Sequence, residues 1–176
     1  MDRTIEFPSQ EEYPSYANMY MKYIQKDGSL IKQLKQTFEP LKKLINSLSE
    51  QELNYKYQEG KWSIKDILVH IIDDERIYAF RALVFARNDK TNFPGFEQDD
   101  YAHFADTNER SIDHILVEYE AVRIATITLF EGFSEIALKR IGTANDNKTS
   151  VRALGYHILG HELHHIEIIK KQYLNS

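Results

Sequence analysis

Cysteine is absent from the 176-residue sequence, and glycine and proline are scarce at 7 and 4 residues. The absence of cysteine excludes disulfide bonds, thiolate metal ligands and a cysteine nucleophile. Any thiol chemistry would therefore need a thiol supplied by a cosubstrate. No internal repeat or low-complexity linker divides the chain. We expect one domain over residues 1–176, with a bundle core over about 28–174.

The sequence also has no long apolar run and no excess of basic residues. No stretch approaches the roughly 20 apolar residues that a membrane helix needs, and no apolar segment follows the N-terminus as in a signal peptide. The net charge of -5 argues against a surface that binds nucleic-acid phosphates. These features predict a cytoplasmic protein that acts on a small molecule and has no nucleic-acid or membrane partner.

The chain does show the apolar periodicity that is typical of helices. Apolar residues recur every three or four positions, without sustained period-two alternation, in segments at about 30–48, 63–87, 108–130 and 150–173. Four such segments predict an all-α fold, a four-helix bundle preceded by a short irregular N-terminal segment. That segment contains a short helix near 16–25. Pro40 is expected to kink the first long helix or to mark its boundary.

A long loop is predicted between the second and third long helices, over residues 88–108. It carries four aromatic side chains, at Phe93, Phe96, Tyr101 and Phe104. These side chains can wall a pocket, pack on the bundle or form a homodimer contact, and the sequence does not choose between these roles.

Four of the seven histidines lie in the last helix. His161 and His165 are one turn apart and face the apolar arc, whereas His157 and His164 fall toward its margin. Two adjacent buried imidazoles leave four ring nitrogens to satisfy, which favours a metal over a pair of hydrogen-bonded core histidines.

His70, at the border of the apolar arc of the second long helix, is the only inward-facing histidine that another helix offers. Three histidines would leave a zinc- or nickel-type ion with open positions, which is typical of catalytic sites. Manganese and iron also bind such ligands, because geometry and availability select the metal. We predict one divalent ion on His70, His161 and His165.

Three charged residues fall within apolar arcs, at Glu75, Arg123 and Glu162. Buried charges are costly unless they are paired, so these side chains are expected to form a buried ionic network. A functional alternative places Glu162 beside the metal as a proton acceptor.

Two short motifs offer competing interpretations of the last helix. His161 to His165 matches the H-E-x-x-H pattern of zinc proteases, but only residues 166–176 follow it, and Glu167 lies about 200° around the helix from His165. Glu162-x-x-His165 matches half of a di-iron motif, and no second half occurs. A mononuclear site is better supported.

The segment Trp62-Ser-Ile-Lys-Asp-Ile-Leu-Val-His70, followed by a long loop and Gly160-His-Glu-Leu-His-His165, resembles the DinB superfamily. This resemblance implies a four-helix bundle with a metal on three histidines, which match His70, His161 and His165. The family often continues its last motif as His-Arg-Gly-Gln, whereas this chain has His165-Ile-Glu-Ile168.

The resemblance also implies an activity, since some members transfer low-molecular-weight thiols to electrophiles. We therefore expect a metal-dependent enzyme, foremost a thiol-dependent S-transferase with a thiol cosubstrate activated as thiolate. The alternatives are a metal-dependent hydrolase and a non-catalytic metal-binding protein of the stress response.

Overall fold

The computed structural model describes residues 2–174. Residues 1, 175 and 176 of the expected domain lie outside the described residues. The helices are α1 (Asn18–Met21), α2 (Leu30–Asn46), α3 (Glu50–Asn54), α4 (Ile64–Ala86), α5 (Gln98–His103), α6 (Ile112–Glu131), α7 (Glu135–Leu138) and α8 (Val151–Gln172). The strands are β1 (Asn92–Phe93), β2 (Ile141–Ala144) and β3 (Asn147–Ser150), and short 3-10 turns occupy Gln10–Glu12, Ser15–Ala17 and Thr107–Glu109.

The four long helices α2, α4, α6 and α8 form a bundle, so the predicted fold class is confirmed. Helix α4 packs on α6 and α8, and α2 packs on the same two helices from the opposite corner. Within residues 2–174, no helix combines the length and the apolar composition needed to cross a membrane.

Serine caps set where the two site-bearing helices begin. Ser63 Oγ accepts a hydrogen bond from the Asp66 backbone N–H at 3.1 Å, and Ser150 Oγ accepts one from the Ala153 N–H at 3.2 Å. Each bond satisfies one of the free N–H groups of a first helical turn. The caps anchor α4 and α8, whose packing brings their histidine-bearing faces together.

The apolar core consists of two clusters, one toward each end of the bundle. One contains Leu34, Tyr78, Phe130 and Leu154, and the other contains Phe38, Leu68, Tyr119 and Ile169. Each long helix therefore contributes apolar residues to both clusters, with a polar layer between them. The candidate site lies in that polar layer.

A small three-stranded sheet is the main feature that the periodicity does not predict. β1 pairs in parallel with β2, and β2 pairs antiparallel with β3. Asn145 and Asp146 connect β2 to β3 with φ angles of 49° and 59°, a conformation that Asn and Asp tolerate in tight hairpins. Strands of two to four residues are too short to show alternation.

Three local expectations need correction. Helix α2 continues through Pro40, so this proline is not a boundary. The predicted loop 88–108 contains β1, α5 and a 3-10 turn. The N-terminal helix expected near 16–25 is limited to a 3-10 turn and the four residues of α1, because the chain turns at Lys22 to pack α1 on α8.

Candidate metal centre

Three imidazoles converge between α4 and α8. Nε2 of His161 lies 3.0 Å from Nε2 of His70 and 3.2 Å from Nε2 of His165. The ligand atoms of the three residues all lie within 4.8 Å of one another. His70 and His161 are 5% and 3% exposed. The structure therefore brings together the three predicted ligands.

The spacing of these nitrogens fits a bound ion better than it fits hydrogen bonding. Nitrogens bound at about 2.05 Å in tetrahedral geometry lie about 3.3 Å apart, close to the 3.0 and 3.2 Å seen at His161. A neutral imidazole nitrogen carries either one proton or one lone pair, so His161 Nε2 cannot form two good hydrogen bonds at once. The donor set thus suits one divalent metal.

The imidazoles are held in the form that binds metal. Burial lowers the pKa of His70 and His161, and burial together with the neighbouring His70 and His164 lowers the pKa of His165 to about 3. A metal binds neutral imidazole, and a low pKa removes the competing proton at neutral pH.

Asp74 is a site residue that sequence reasoning missed. Its carboxylate is 4% exposed, and Oδ2 lies 3.4 Å from both Nδ1 of His161 and Nε2 of His157. Burial alone would raise the pKa of Asp74, but the adjacent His161 and His157 imidazoles hold it below its usual range. Asp74 is one turn after His70 on the same face of α4, and that i, i+4 spacing was the available signal.

The expectation that His157 lies at the margin is wrong. His157 is 5% exposed, and its ring stacks on Tyr78 with centroids 3.7 Å apart and an interplanar angle of 3°. Tyr20, from the N-terminal segment, covers it with an edge contact at 5.0 Å. His164 is half-buried beside Tyr23 and is not part of the ligand group. The other two histidines, His103 on α5 and His114 on α6, are exposed.

The expected ionic network is confirmed. Arg123 donates from Nη2 to Glu75 Oε2 at 2.9 Å and from Nη1 to Glu162 Oε2 at 3.0 Å. Glu162 also accepts from the Tyr119 hydroxyl at 2.6 Å and from the Thr37 hydroxyl at 2.8 Å. Glu162 is therefore surrounded by hydrogen-bond donors, and its exposed fraction is 0%.

Two cavities reach the three imidazoles. One, of about 250 Å³, reaches His161 and Asp74. The other, of about 340 Å³, reaches His165 and is walled by Trp62, whose ring lies 4.7 Å from that of His70. Gln98, at the start of α5, lines both cavities. The segment between α4 and α6 therefore contributes to the walls of the site.

Two relatives whose names describe a function align with more than half of the chain. A protein named "Putative metal-dependent hydrolase OB0413" from Oceanobacillus iheyensis is 29% identical over 142 residues, which cover 80% of this chain and 81% of that protein. A "Putative metal-dependent hydrolase" from Geobacillus thermodenitrificans is 25% identical over 101 residues, or 57% of each chain.

A solved structure shows the same fold. YfiT from Bacillus subtilis, described as a probable metal-dependent hydrolase with an unusual four-helix bundle topology, matches with a TM-score of 0.62. The match covers 97% of this chain and 95% of YfiT at 15% identity. The sequence model of the DinB superfamily matches residues 33–169. The chain therefore belongs to the DinB superfamily.

Proposed function

We propose that the protein is a metal-dependent hydrolase of a small molecule, with one divalent ion on His70, His161 and His165. The observation that carries the proposal is the convergence of three neutral imidazoles beside a cavity that reaches His161. Three protein ligands leave coordination positions open, as in catalytic rather than structural sites. Zinc or nickel suits this donor set best, and manganese or iron is a further outcome of metal analysis.

Hydrolysis adds water across a bond: the water oxygen bonds to the electrophilic carbon, and a proton goes to the leaving group. A divalent ion on neutral ligands supplies Lewis acidity that lowers the pKa of water. The residues of the chain position the reactants. Asp74, 3.4 Å from His161 Nδ1, orients that ring, as carboxylates beside metal-binding histidines commonly do.

Two phenols in the cavity can bind the substrate. Tyr20 and Tyr78 line the same cavity as His161. Burial, followed by the charge of Asp74, raises the pKa of both hydroxyls above the usual value for tyrosine. Both therefore stay protonated at neutral pH and can donate a hydrogen bond to a substrate carbonyl.

The role of Glu162 as a proton acceptor remains a prediction, and its surroundings favour another role. Its two carboxylate oxygens accept hydrogen bonds from Arg123, Tyr119 and Thr37. Both carboxylate oxygens are therefore already engaged as acceptors within the ionic network. We propose that Glu162 anchors α8, so that its neighbour His161 keeps its position.

The names of the relatives favour hydrolysis over the thiol transfer that the family resemblance implies. S-transfer enters as an alternative outcome of the test. A cytoplasmic location and action without a nucleic-acid partner belong to the same proposal.

The test measures hydrolysis of activated esters and amides by the zinc-loaded and nickel-loaded protein, with and without a low-molecular-weight thiol. Hydrolysis should be lost with His161→Ala and retained with His164→Ala, since only His161 belongs to the converging group. Turnover of an electrophile only when the thiol is present would replace hydrolase by S-transferase. Equal activity in both variants would contradict metal catalysis at this site.

A further inference from the structure

Arg81 is a buried cation without an acidic partner. Its side chain lies near the C-terminal end of α4 and is 7% exposed. Nη2 donates to the Pro94 carbonyl at 3.0 Å, which is the one hydrogen bond that Arg81 makes within residues 2–174. No carboxylate of the described residues lies within 4.0 Å of its nitrogens. A buried guanidinium is costly unless its charge and donors are satisfied.

The guanidinium lines the cavity that leads to the metal centre. Arg81 shares the walls of the 250 Å³ cavity with Asp74 and His161. Helical side chains point toward the N-terminus of their helix, so Arg81 reaches back toward Asp74. Its guanidinium carbon lies 4.9 Å from the centroid of the Tyr78 ring, which in turn stacks on His157.

Two acidic residues share the cavity, and neither neutralises Arg81. Asp74 faces the His157 and His161 imidazoles. Glu97 lies exposed in the segment that leads into α5, and its carboxylate is more than 4.0 Å from the Arg81 nitrogens. Nε and Nη1 of Arg81 have no hydrogen-bond partner among residues 2–174 and are thus available to an anion that enters the cavity.

We propose that Arg81 binds the carboxylate of the substrate, so that the protein acts on small molecules that carry a carboxylate at a distance from the reacting bond. Arg81 follows Asp74 by seven positions, a rise of about 10 Å along α4, and its side chain reaches back over part of that distance. Arginine suits this role because its planar fork binds a carboxylate through two parallel hydrogen bonds. The type of bond that reacts depends on the proposed hydrolase function, whereas the anion site does not depend on it.

The test is a binding measurement on the zinc-loaded, full-length protein labelled with nitrogen-15. The Arg81 Nε–Hε signal, assigned by its absence in Arg81→Lys, is followed as straight-chain carboxylates from butyrate to octanoate are added. The matching amides serve as neutral probes. Arg87→Gln is the matched control, because Arg87 ends the same helix but is exposed.

The carboxylates should shift the Arg81 signal saturably, and the amides should not. Loss of a charge-assisted hydrogen bond should weaken the carboxylate affinity by at least about tenfold in Arg81→Gln. Arg87→Gln should bind as the parent does. Arg81→Lys keeps the charge without the fork, so it should bind with an intermediate affinity.

Two results would overturn the proposal. One is an unchanged carboxylate affinity in Arg81→Gln, which would place the anion on the metal and leave Arg81 as a tether for the Pro94 carbonyl. The other is the absence of a saturable Arg81 shift with every chain length, a result obtained on the parent protein and therefore independent of how the variants fold. Arg81-dependent binding in a protein without hydrolase activity would refute only the proposed function.

Discussion

The Asp74 carboxylate lies beside two imidazoles of α8, with Oδ2 at 3.4 Å from both His161 Nδ1 and His157 Nε2. Asp74 therefore connects His161, a predicted ligand, to His157. His157 is stacked on Tyr78 and is not one of the three predicted ligands. Asp74 also fixes which His161 nitrogen is free, because Nδ1 faces Asp74 and Nε2 faces His70 and His165.

Asp74→Asn should weaken metal binding without unfolding the protein. An amide keeps the shape of the carboxylate but removes the charge that orients and polarises His161. Loss of such a partner costs about 10–100-fold in metal affinity. Competition with a zinc chelator measures the change. Asp73→Asn, on the same turn but without an imidazole contact, should bind zinc as the parent does. Equal affinities for the parent and both variants would remove Asp74 from the site.

Arg123→Ala should be strongly destabilising. It leaves Glu75 and Glu162, which are 1% and 0% exposed, as unpaired buried charges. Breaking a buried ion pair by removing one partner costs about 3–5 kcal/mol. Urea unfolding of the metal-free protein measures the loss.

The control for Arg123 is Arg76→Ala. The Arg76 side chain is 48% exposed in its pair with Glu118, and exposed pairs contribute about 0–1 kcal/mol. If Arg123→Ala and Arg76→Ala shifted the urea midpoint equally, the buried network would have no special weight in stability.

Glu12 should make stability depend on acid pH. Burial alone would raise its pKa, but hydrogen bonds from Arg152 and Ser150 lower it to about 2 in the folded state. Because the folded pKa lies below the unfolded value of 4.5, this contribution is present above pH 4.5 and is lost as the pH falls toward 2.

The measurement compares unfolding free energies of the parent and Glu12→Gln at pH 7 and at pH 3. The difference between the two proteins should shrink at pH 3. Glu59→Gln, at an exposed loop position, should show no such change. A Glu12→Gln deficit of the same size at both pH values would mean that the ion pair with Arg152 is not its cause.

The sequence predicted the bundle and the site to different depths. Helical periodicity located the four long helices, because an amphipathic face follows local spacing. The same spacing predicted that the side chains of His161 and His165 face inward. The structure shows that the three predicted ligands converge. The binding of an ion by these residues stays a prediction.

Contacts between distant segments explain what the sequence did not predict. His157 falls at the flank of the α8 wheel, and Tyr20 from α1 and Tyr78 from α4 bury it. The parallel pairing of Asn92 with Thr143 joins segments with no local signal. Periodicity alone does not show that the Asp74 carboxylate faces imidazoles on another helix.

The most direct test of the central claim is the metal content of three proteins purified without a metal-binding affinity tag: the parent, His161→Ala and His164→Ala. Elemental analysis should find one divalent ion per chain in the parent and in His164→Ala, and none in His161→Ala. His161 Nε2 lies between the other two ligand nitrogens, whereas His164 lies outside the group. Equal metal loss in both variants, or a parent protein that binds no divalent ion, would contradict a metal centre on His70, His161 and His165.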